Sequence, residues 1–232
     1  QIDSLWVYLN ELEQTRLPEG LEKKGGFELK PDKRPIVFRT FIEGAGTHAI
    51  AIGFPVGIHA AFDSEAVGWT TLWRGKFLDA ESTWDNRFTP LAKPLGTDII
   101  QFPTGPAVGR LQEGKPWPEG GLLFRGYRLA KDGTPTLLYR HGKTDITDTL
   151  SPKDDGLRRR MEFSAGEGKL WVRLALANEF FTSERGVWIG ANKLTLIAPT
   201  ARVRTINGKV ELIAPIDLKT NDNTVLEVQL SW

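Results

Sequence analysis

Hydrophobic and polar residues alternate with a period of two along most of the chain after Pro35. Segments such as IVFRTFI, HAIAIG and LWVRLAL are rich in β-branched and aromatic residues, and short runs of glycine, proline, asparagine or aspartate separate them. Such a series of short strands with turns between them is typical of two packed antiparallel sheets. The pattern predicts an all-β fold, a large antiparallel β-sandwich with one N-terminal helix.

The helical segment covers residues 3–15, DSLWVYLNELEQT. Good helix formers follow Asp3 and Ser4, either of which can cap the first turn. The charged stretch that follows contains paired glycines and prolines, and it predicts an exposed linker. We therefore expect an N-terminal helix and linker over residues 1–34 and a β-sandwich domain over residues 35–232.

Several turns are predicted by residue type. Lys131-Asp132-Gly133 and His141-Gly142-Lys143 interrupt strand-like segments, and Asn207-Gly208 is the preferred pair for a type I′ turn. Residues 156–178, GLRRRMEFSAGEGKLWVRLALAN, predict a further hairpin around AGEG. Residues 85–121 are rich in proline and glycine and predict a long, ordered surface loop of the kind that often has a function.

Alternation in the second arm of that hairpin predicts which side chains share a face. One face is expected to carry four leucine or valine side chains, and the opposite face an indole and a guanidinium. The first set is Leu170, Val172, Leu174 and Leu176, and the second is Trp171 and Arg173.

Composition limits the function classes without naming an activity. The 30 basic and 29 acidic residues nearly cancel, which argues against a general binder of nucleic acid or acidic membranes. The chain has no cysteine, which excludes disulfides, thiolate ligands and covalent haem attachment within it. No apolar run approaches the roughly 18 residues of a membrane span. Because the chain begins at Gln1 without a signal peptide, we expect a processed protein or a fragment.

Residues 73–88, WRGKFLDAESTWDNRF, concentrate aromatic and charged side chains, and two interpretations fit them. Indole faces and hydrogen-bonding carboxylates and arginines are the mixture that sugar recognition needs. Alternatively the stretch is a structural clasp in which Trp73 points inward, Arg87 pairs with an aspartate and Trp84 covers the core edge. The candidate ligand-binding residues of this stretch are Trp73, Asp79, Glu81, Trp84, Asp85 and Arg87.

Three further candidates lie beyond this stretch, namely Trp117, Arg125 and Tyr127. A polysaccharide lyase needs a base and a charge neutraliser, which Tyr127 or His141 with Arg125 would supply. A glycoside hydrolase needs two carboxyl groups several ångströms apart. No spacing singles out a catalytic pair, so the sequence leaves catalysis open and favours a module that is not an enzyme.

No metal site is predicted from the histidines. His48, His59 and His141 are far apart in the sequence and form no HxH or HExxH motif. Residues 79–86 and 217–223 place oxygen-bearing side chains at spacings that suit calcium, although both are also good turn sequences. We expect no cofactor in this chain, with calcium as an alternative.

Two stretches resemble a known group of proteins. QIDSLWVYLNELEQTRLPEGL resembles the terminal helix of a class I c-type cytochrome domain. VFRTFIEGAGTHAIAIGFPVGIHAAFDSEAVGWTTLWRGKFLDAESTWDNR, with FRGYRLAKDGTPTLLYRHGKTDITDTL after it, is similar to a β-rich region of large secreted haem-binding proteins of Planctomycetes, Verrucomicrobia and Bacteroidetes. In those proteins the region lies near a cytochrome c module with a CxxCH motif. The resemblance implies a periplasmic or extracellular location and a haem in a neighbouring domain or partner.

Three hypotheses follow. The first is an accessory module that docks with a c-type cytochrome or assembles a redox complex for electron transfer. It predicts an exposed apolar patch near the Leu5–Leu12 helix. The second is a carbohydrate-binding or carbohydrate-active module, which predicts a cleft lined by Trp73, Trp84 or Trp117 with carboxylates between them. The third is a structural subunit of an envelope assembly. The sequence favours the first and names no substrate, ligand or oligomeric state.

Overall fold

The structure is a computed structural model that describes residues 26–85, 90–183 and 186–232. The predicted helix over residues 3–15 lies outside these ranges, and so does the apolar patch expected near it. Most of the described chain is β-strand, which confirms the all-β prediction. In the described part of the chain no helix is long and apolar enough to cross a membrane.

The described elements follow one another from residue 28 to residue 231. In chain order they are β1 (Glu28–Leu29), β2 (Ile36–Ile42), β3 (Gly46–Gly53), β4 (Ile58–Asp63), β5 (Gly68–Arg74), β6 (Leu78–Asp79), α1 (Glu81–Trp84), β7 (Thr97–Gln101), β8 (Val108–Gly109), β9 (Leu122–Leu129), β10 (Pro135–His141), β11 (Thr144–Lys153), β12 (Gly156–Phe163), β13 (Lys169–Ala177), β14 (Phe180–Ser183), β15 (Val187–Gly190), β16 (Thr195–Ile197), β17 (Arg202–Ile206), β18 (Lys209–Asp217) and β19 (Thr224–Ser231).

The described strands form one large sheet, two smaller sheets and a two-stranded sheet of β1 and β6, and every strand pair in them is antiparallel. The eight-stranded sheet has the order β14-β15-β16-β19-β12-β11-β10-β9. The five-stranded sheet has the order β2-β3-β4-β5-β7, and the four-stranded sheet has the order β17-β18-β13-β8. Backbone hydrogen bonds from Ala107 to Val67 and from Arg173 to Ala107 place the two smaller sheets side by side.

The main core lies between the eight-stranded sheet and the two smaller sheets. Alternate residues of all three sheets meet there, for example Phe62 of β4, Met161 of β12 and Val172 of β13, each fully buried. Each strand buries only one of its two faces in this core, because side chains alternate across a pleated strand. The molecule is therefore a two-layer β-sandwich, as the sequence predicts.

A buried polar network crosses this core. Asp148 of β11 is fully buried and accepts two hydrogen bonds from Arg159, at 3.1 and 2.7 Å. The hydroxyl of Tyr139 and the indole nitrogen of Trp69 each donate to Asp148 Oδ2 at 3.0 Å. Burial and the charge of Asp148 raise the pKa of Tyr139 well above its usual value, so the phenol stays protonated and remains a donor. The network joins β5 to the opposite sheet.

Three of the predicted turns occur where the sequence places them. Residues 130–134 connect β9 to β10, and residues 142–143 connect β10 to β11. Asn207 and Gly208 join β17 to β18 with φ values of 52° and 75°, the two positive angles that a type I′ turn requires.

The hairpin predicted around AGEG is wrong. β12 pairs with β11 and β19 in the eight-stranded sheet, whereas β13 pairs with β18 and β8 in the four-stranded sheet. Residues 164–168 therefore cross from one layer to the other. Both arms bury an apolar face in the same core from opposite sides, and alternation alone does not distinguish this arrangement from a hairpin.

The segment 85–121 is more structured than the predicted loop. Its described residues include β7, which closes the edge of the five-stranded sheet, and β8, which pairs with β13. Val108 of β8 is fully buried in the main core. Residues 86–89 of the segment lie outside the described ranges.

Candidate functional site

The stretch from Trp73 to Trp84 covers the outer face of the five-stranded sheet. Trp73 is fully buried, stacks on Phe77 with ring centroids 5.9 Å apart, and donates its indole N–H to the carbonyls of Lys76 and Phe77. The Phe77 ring rests on Gly53, where a Cβ atom would lie only 2.8 Å from the ring. Alanines at positions 49, 51 and 61 leave room for this second core. We call residues 27–29 and 75–85 the aromatic lid.

The acidic candidates of the lid surround its exposed edge. Asp79 is half-buried, and its Oδ1 accepts the backbone N–H of Glu81 at 2.8 Å in the turn that starts α1. Glu81 is half-buried and Asp85 is exposed. Trp84 is 58% exposed and makes edge contacts with Phe27 and Phe38 at 6.2 and 5.7 Å. Arg87 lies outside the described residues, so its predicted pairing stays a prediction.

Arg125 and Tyr127 lie on β9, the edge strand of the eight-stranded sheet. A register shift opposite Leu138 and Tyr139 leaves Arg125 exposed at a bulge, while Tyr127 packs against the main core. Tyr127 therefore faces the main core while Arg125 faces solvent, so these two side chains do not form the base and neutraliser considered for a lyase. The alternative pair of His141 with Arg125 stays a prediction.

Trp117 lies on the outer face of the four-stranded sheet, away from the lid. It is 7% exposed, packs with Trp171 and Ile213, and donates its indole N–H to the carbonyl of Pro106 at 2.8 Å. The sequence candidates are thus divided among the lid, the β9 edge and the four-stranded sheet. Of these three places, the four-stranded sheet combines an indole with grooves and charged groups.

Around Trp117 two arginines share one carboxylate. Arg204 of β17 donates from Nε to Glu211 Oε2 at 2.6 Å, and Arg173 of β13 reaches Glu211 Oε1 at 3.4 Å. The guanidinium carbons of Arg173 and Arg204 lie 5.0 and 5.8 Å from the Trp117 ring centroid. The side chains of Arg173, Glu211 and Arg204 are 9%, 7% and 17% exposed. We call these three residues the arginine cluster.

Strand register explains how the cluster forms. Arg204 of β17 and Glu211 of β18 are direct cross-strand partners. On the other side of β18, Arg173 of β13 is paired with Ile213, two residues from Glu211. Side chains at directly opposed positions on one face lie within contact distance, so the pattern of β17 and β18 builds the ion pair. Burial lowers the pKa of Arg173, and the nearby charge of Glu211 partly offsets this effect.

A β-bulge in β13 completes the wall of the site. The register shifts between Arg173 and Ala175, so Leu174 and Ala175 both face the main core. Leu176 then turns outward, opposite Glu211, where it lines a groove. The prediction that Leu176 shares the face of Leu170 is therefore wrong, because a bulge adds one residue to the strand and reverses the alternation.

Two grooves open on this outer face. The first, of about 460 Å³, is lined by Trp117, Glu119, Arg173, Lys209 and Glu211 together with the turn at Asn207. The second, of about 750 Å³, is lined by Trp171, Arg202, Arg204 and residues 111–114. Ile206 lines both grooves, so they are neighbours on one surface.

The sequence reasoning missed most residues of this surface. Arg202, Arg204 and Glu211 were not candidates, and Trp171 and Arg173 were recognised only as sharing a face. A usable signal was present in RVR and WVR, where side chains two positions apart must project from the same side of a strand. What the pattern could not show is that β13, β17 and β18 are neighbours.

The histidines do not converge. His48 contacts Glu65 at 2.9 Å on the surface, His59 is buried beneath the lid, and His141 lies near Arg110. Across residues 26–85, 90–183 and 186–232, no group of three or more histidine, aspartate or glutamate side chains is arranged to hold a metal ion. The calcium alternative stays a prediction.

Comparisons with known proteins give little further information. No protein-family model matches the chain, and no curated protein shows significant similarity to it. One solved structure, described as a polysaccharide lyase, aligns with 85% of this chain at 12% sequence identity and a TM-score of 0.33. The alignment covers 32% of the lyase chain, so this chain spans about a third of that protein. At this TM-score the likeness carries no argument about fold or activity.

Proposed function

We propose that this protein is a carbohydrate-binding β-sandwich module whose ligand lies in the grooves on the outer face of the four-stranded sheet. The observation that carries the proposal is the first groove, where Trp117 lies beside the carboxylates of Glu119 and Glu211 and the guanidinium of Arg173. The carbohydrate hypothesis expects a cleft lined by Trp73, Trp84 or Trp117 with carboxylates between them, and the lining of this groove supports it.

The chemistry of the groove suits a polyhydroxylated ligand. Glycan hydroxyls both donate and accept hydrogen bonds, and the lining offers carboxylate acceptors as well as donors from Arg173, Lys209 and Asn207. Leu176 and Pro118 add apolar surface against which sugar C–H groups can pack. The two grooves share Ile206 and so lie next to each other, which suits an extended chain better than a single small molecule.

The proposal is for binding. Both carboxylate oxygens of Glu211 accept hydrogen bonds from arginine side chains, which gives this residue a structural role in the cluster. The docking hypothesis, its haem partner and the periplasmic or extracellular location stay predictions, because the helix that motivates them lies outside the described residues.

The test is retention on a panel of immobilised or gel-embedded polysaccharides. The panel compares wild type, the double variant Glu119→Ala/Lys209→Ala at the groove, and Trp84→Ala in the aromatic lid. Glu119 and Lys209 are exposed, so the double variant should fold normally. Wild type should bind at least one glycan, the groove variant should bind it at least about tenfold more weakly, and Trp84→Ala should bind like wild type.

Two results would overturn the proposal. The absence of retention on every glycan would remove carbohydrate binding. Loss of retention in Trp84→Ala, with normal retention in the groove variant, would move the site to the aromatic lid. Circular dichroism of each variant confirms that the fold is intact before binding is compared.

A further inference from the structure

We infer that the glycan bound in these grooves is acidic, and that its carboxylate or sulfate groups contact the arginines of the four-stranded sheet. The inference rests on the proposed function and specifies its ligand class. It follows from three features of the outer face, which are the charge of the arginine cluster, the position of Arg202, and the covering of the indole rings.

The arginine cluster keeps a net positive charge. Arg173 and Arg204 share a single carboxylate, that of Glu211, and the three side chains are mostly removed from water. The other contacts of the two guanidiniums are neutral, since Arg173 also donates to the carbonyl of Thr104 and Arg204 to the carbonyl of Lys115 at 3.0 Å. A buried charge without a counter-charge is unfavourable, so an anionic group arriving in the groove would stabilise the cluster.

The cluster lies between the two grooves. Nη2 of Arg204 is in ion-pair contact with Glu211 Oε2, while Arg204 lines the second groove and Arg173 and Glu211 line the first. An anionic group in either groove would therefore lie close to the positive charge of the cluster.

The second groove presents a further cation. Arg202 is exposed, and its guanidinium lies over the Trp171 ring at 4.2 Å from the centroid. Among the described residues, no carboxylate lies within ion-pair distance of Arg202. Arg202 and Arg204 are two residues apart on one strand face, hence roughly 6.4–6.8 Å apart along β17. This spacing allows one chain to place successive acidic groups on both.

The indole rings are covered by cations. Lys169 and Arg202 lie over Trp171, and Arg173 and Arg204 lie over Trp117. Both indoles are less than a tenth exposed. A neutral sugar that binds by stacking needs a bare aromatic face, whereas this surface offers guanidinium donors that are pre-oriented by the rings beneath them. The ligand is therefore recognised through charged hydrogen bonds.

The test uses pairs of polysaccharides that differ only in charge. Polygalacturonate is compared with its methyl ester, and dextran sulfate with dextran, by affinity electrophoresis and calorimetry of the whole chain. Wild type should bind at least one acidic polymer, at least about tenfold tighter than its neutral partner, and the affinity should fall as salt is raised from about 0.05 M to about 0.5 M.

Matched arginine variants locate the contact. Arg202→Gln should weaken binding of the acidic polymer about tenfold, because it removes a charge-assisted hydrogen bond to the ligand. Arg158→Gln, on the exposed face of the eight-stranded sheet, removes an equal charge and should bind like wild type. Both arginines are exposed, so neither variant should fail to fold.

Different results would contradict the acidic ligand and carbohydrate binding itself. If the neutral polymer of each pair binds as tightly as its acidic partner, the inference of an acidic ligand is wrong while carbohydrate binding stands. The same conclusion follows if only neutral glycans of the larger panel are retained. Equal losses in Arg202→Gln and Arg158→Gln would show attraction by overall charge and would also overturn the inference. If no polymer of either kind is retained, the proposed function itself fails.

Discussion

The outer faces of the two smaller sheets lie side by side in one layer and have opposite properties. The five-stranded sheet carries small residues at positions 49, 51, 53 and 61, and the aromatic lid closes over them. The four-stranded sheet carries indoles, arginines and a glutamate, and it is only partly crossed by residues 103–119. The apolar outer face of the five-stranded sheet is buried and stabilises the fold. The charged outer face of the four-stranded sheet contains grooves that a ligand can enter.

The comparison teaches that tryptophans alone do not identify a site. Trp73 and Trp117 are both buried and both donate their indole N–H to backbone carbonyls. They differ in what surrounds them, which is Phe77 and His59 in the first case and two guanidiniums in the second. Substitutions on the two faces should therefore differ in their effects.

Trp73→Ala should strongly destabilise the protein. The indole is fully buried between the sheet and the lid, and truncating a large buried aromatic side chain costs about 3–5 kcal/mol. Urea unfolding followed by fluorescence or circular dichroism measures the loss in the free energy of unfolding. Phe181→Ala, which truncates a 56% exposed aromatic, is the control and should cost less than about 1 kcal/mol. Similar losses in the two variants would contradict the conclusion that the lid and the outer face of the five-stranded sheet form a buried core.

Glu211→Ala, on the four-stranded sheet, should lower the free energy of unfolding by about 2–3 kcal/mol. The variant leaves Arg173 and Arg204 without their shared carboxylate. The partial exposure of Arg204 places the cost below that of a fully buried pair. Glu227→Ala is the matched control, because Glu227 is half exposed and lies about 4 Å from Arg158 and Arg160. The control should lose less than about 1 kcal/mol of unfolding free energy. Equal losses would show that the cluster is not structural.

The stability contributed by the core beneath the aromatic lid should fall in mild acid. His59 donates from Nε2 to the carbonyl of Gly75 at 2.8 Å, and its Nδ1 is buried without a partner. Burial lowers the pKa of His59, and the hydrogen bond to Gly75 only partly offsets this. The unfolded chain therefore binds the proton first, so stability is full above about pH 6.5 and falls as the pH decreases through that value.

Unfolding free energies of wild type and His59→Gln between about pH 7.5 and pH 5.5 measure this dependence. The loss in wild type should exceed the loss in His59→Gln. His141→Gln is the comparison variant, because burial also lowers the pKa of His141 while this residue lies away from the lid. Parallel curves for wild type and His59→Gln would show that His59 is not the source of the pH dependence.

Trp84→Ala should have the smallest effect on stability. Its ring is 58% exposed and makes only edge contacts with Phe27 and Phe38. We expect a loss of less than about 1 kcal/mol in unfolding free energy. A loss as large as that of Trp73→Ala would show that the exposed indole is part of the closed core.

Strand positions and turns were predictable because they depend on local properties. Asn207-Gly208 adopts the two positive φ angles that its residue types favour, and alternation identified which face of β13 carries Trp171 and Arg173. The same reasoning failed at Leu176, because no local signal announces the bulge before it. The aromatic stretch was foreseen as either a clasp or a ligand site, and Trp73 in the structure packs as the clasp interpretation describes.

The all-β architecture, three of the four named turns and the alternation of side chains across each strand follow from the sequence, since they depend on residue types one or two positions apart. The fold was needed to show that β12 and β13 lie in opposite layers, and that Arg173, Arg204 and Glu211, from three strands, meet around Trp117. Alternation fixes which way a side chain points, whereas strand order and register fix which side chains become neighbours.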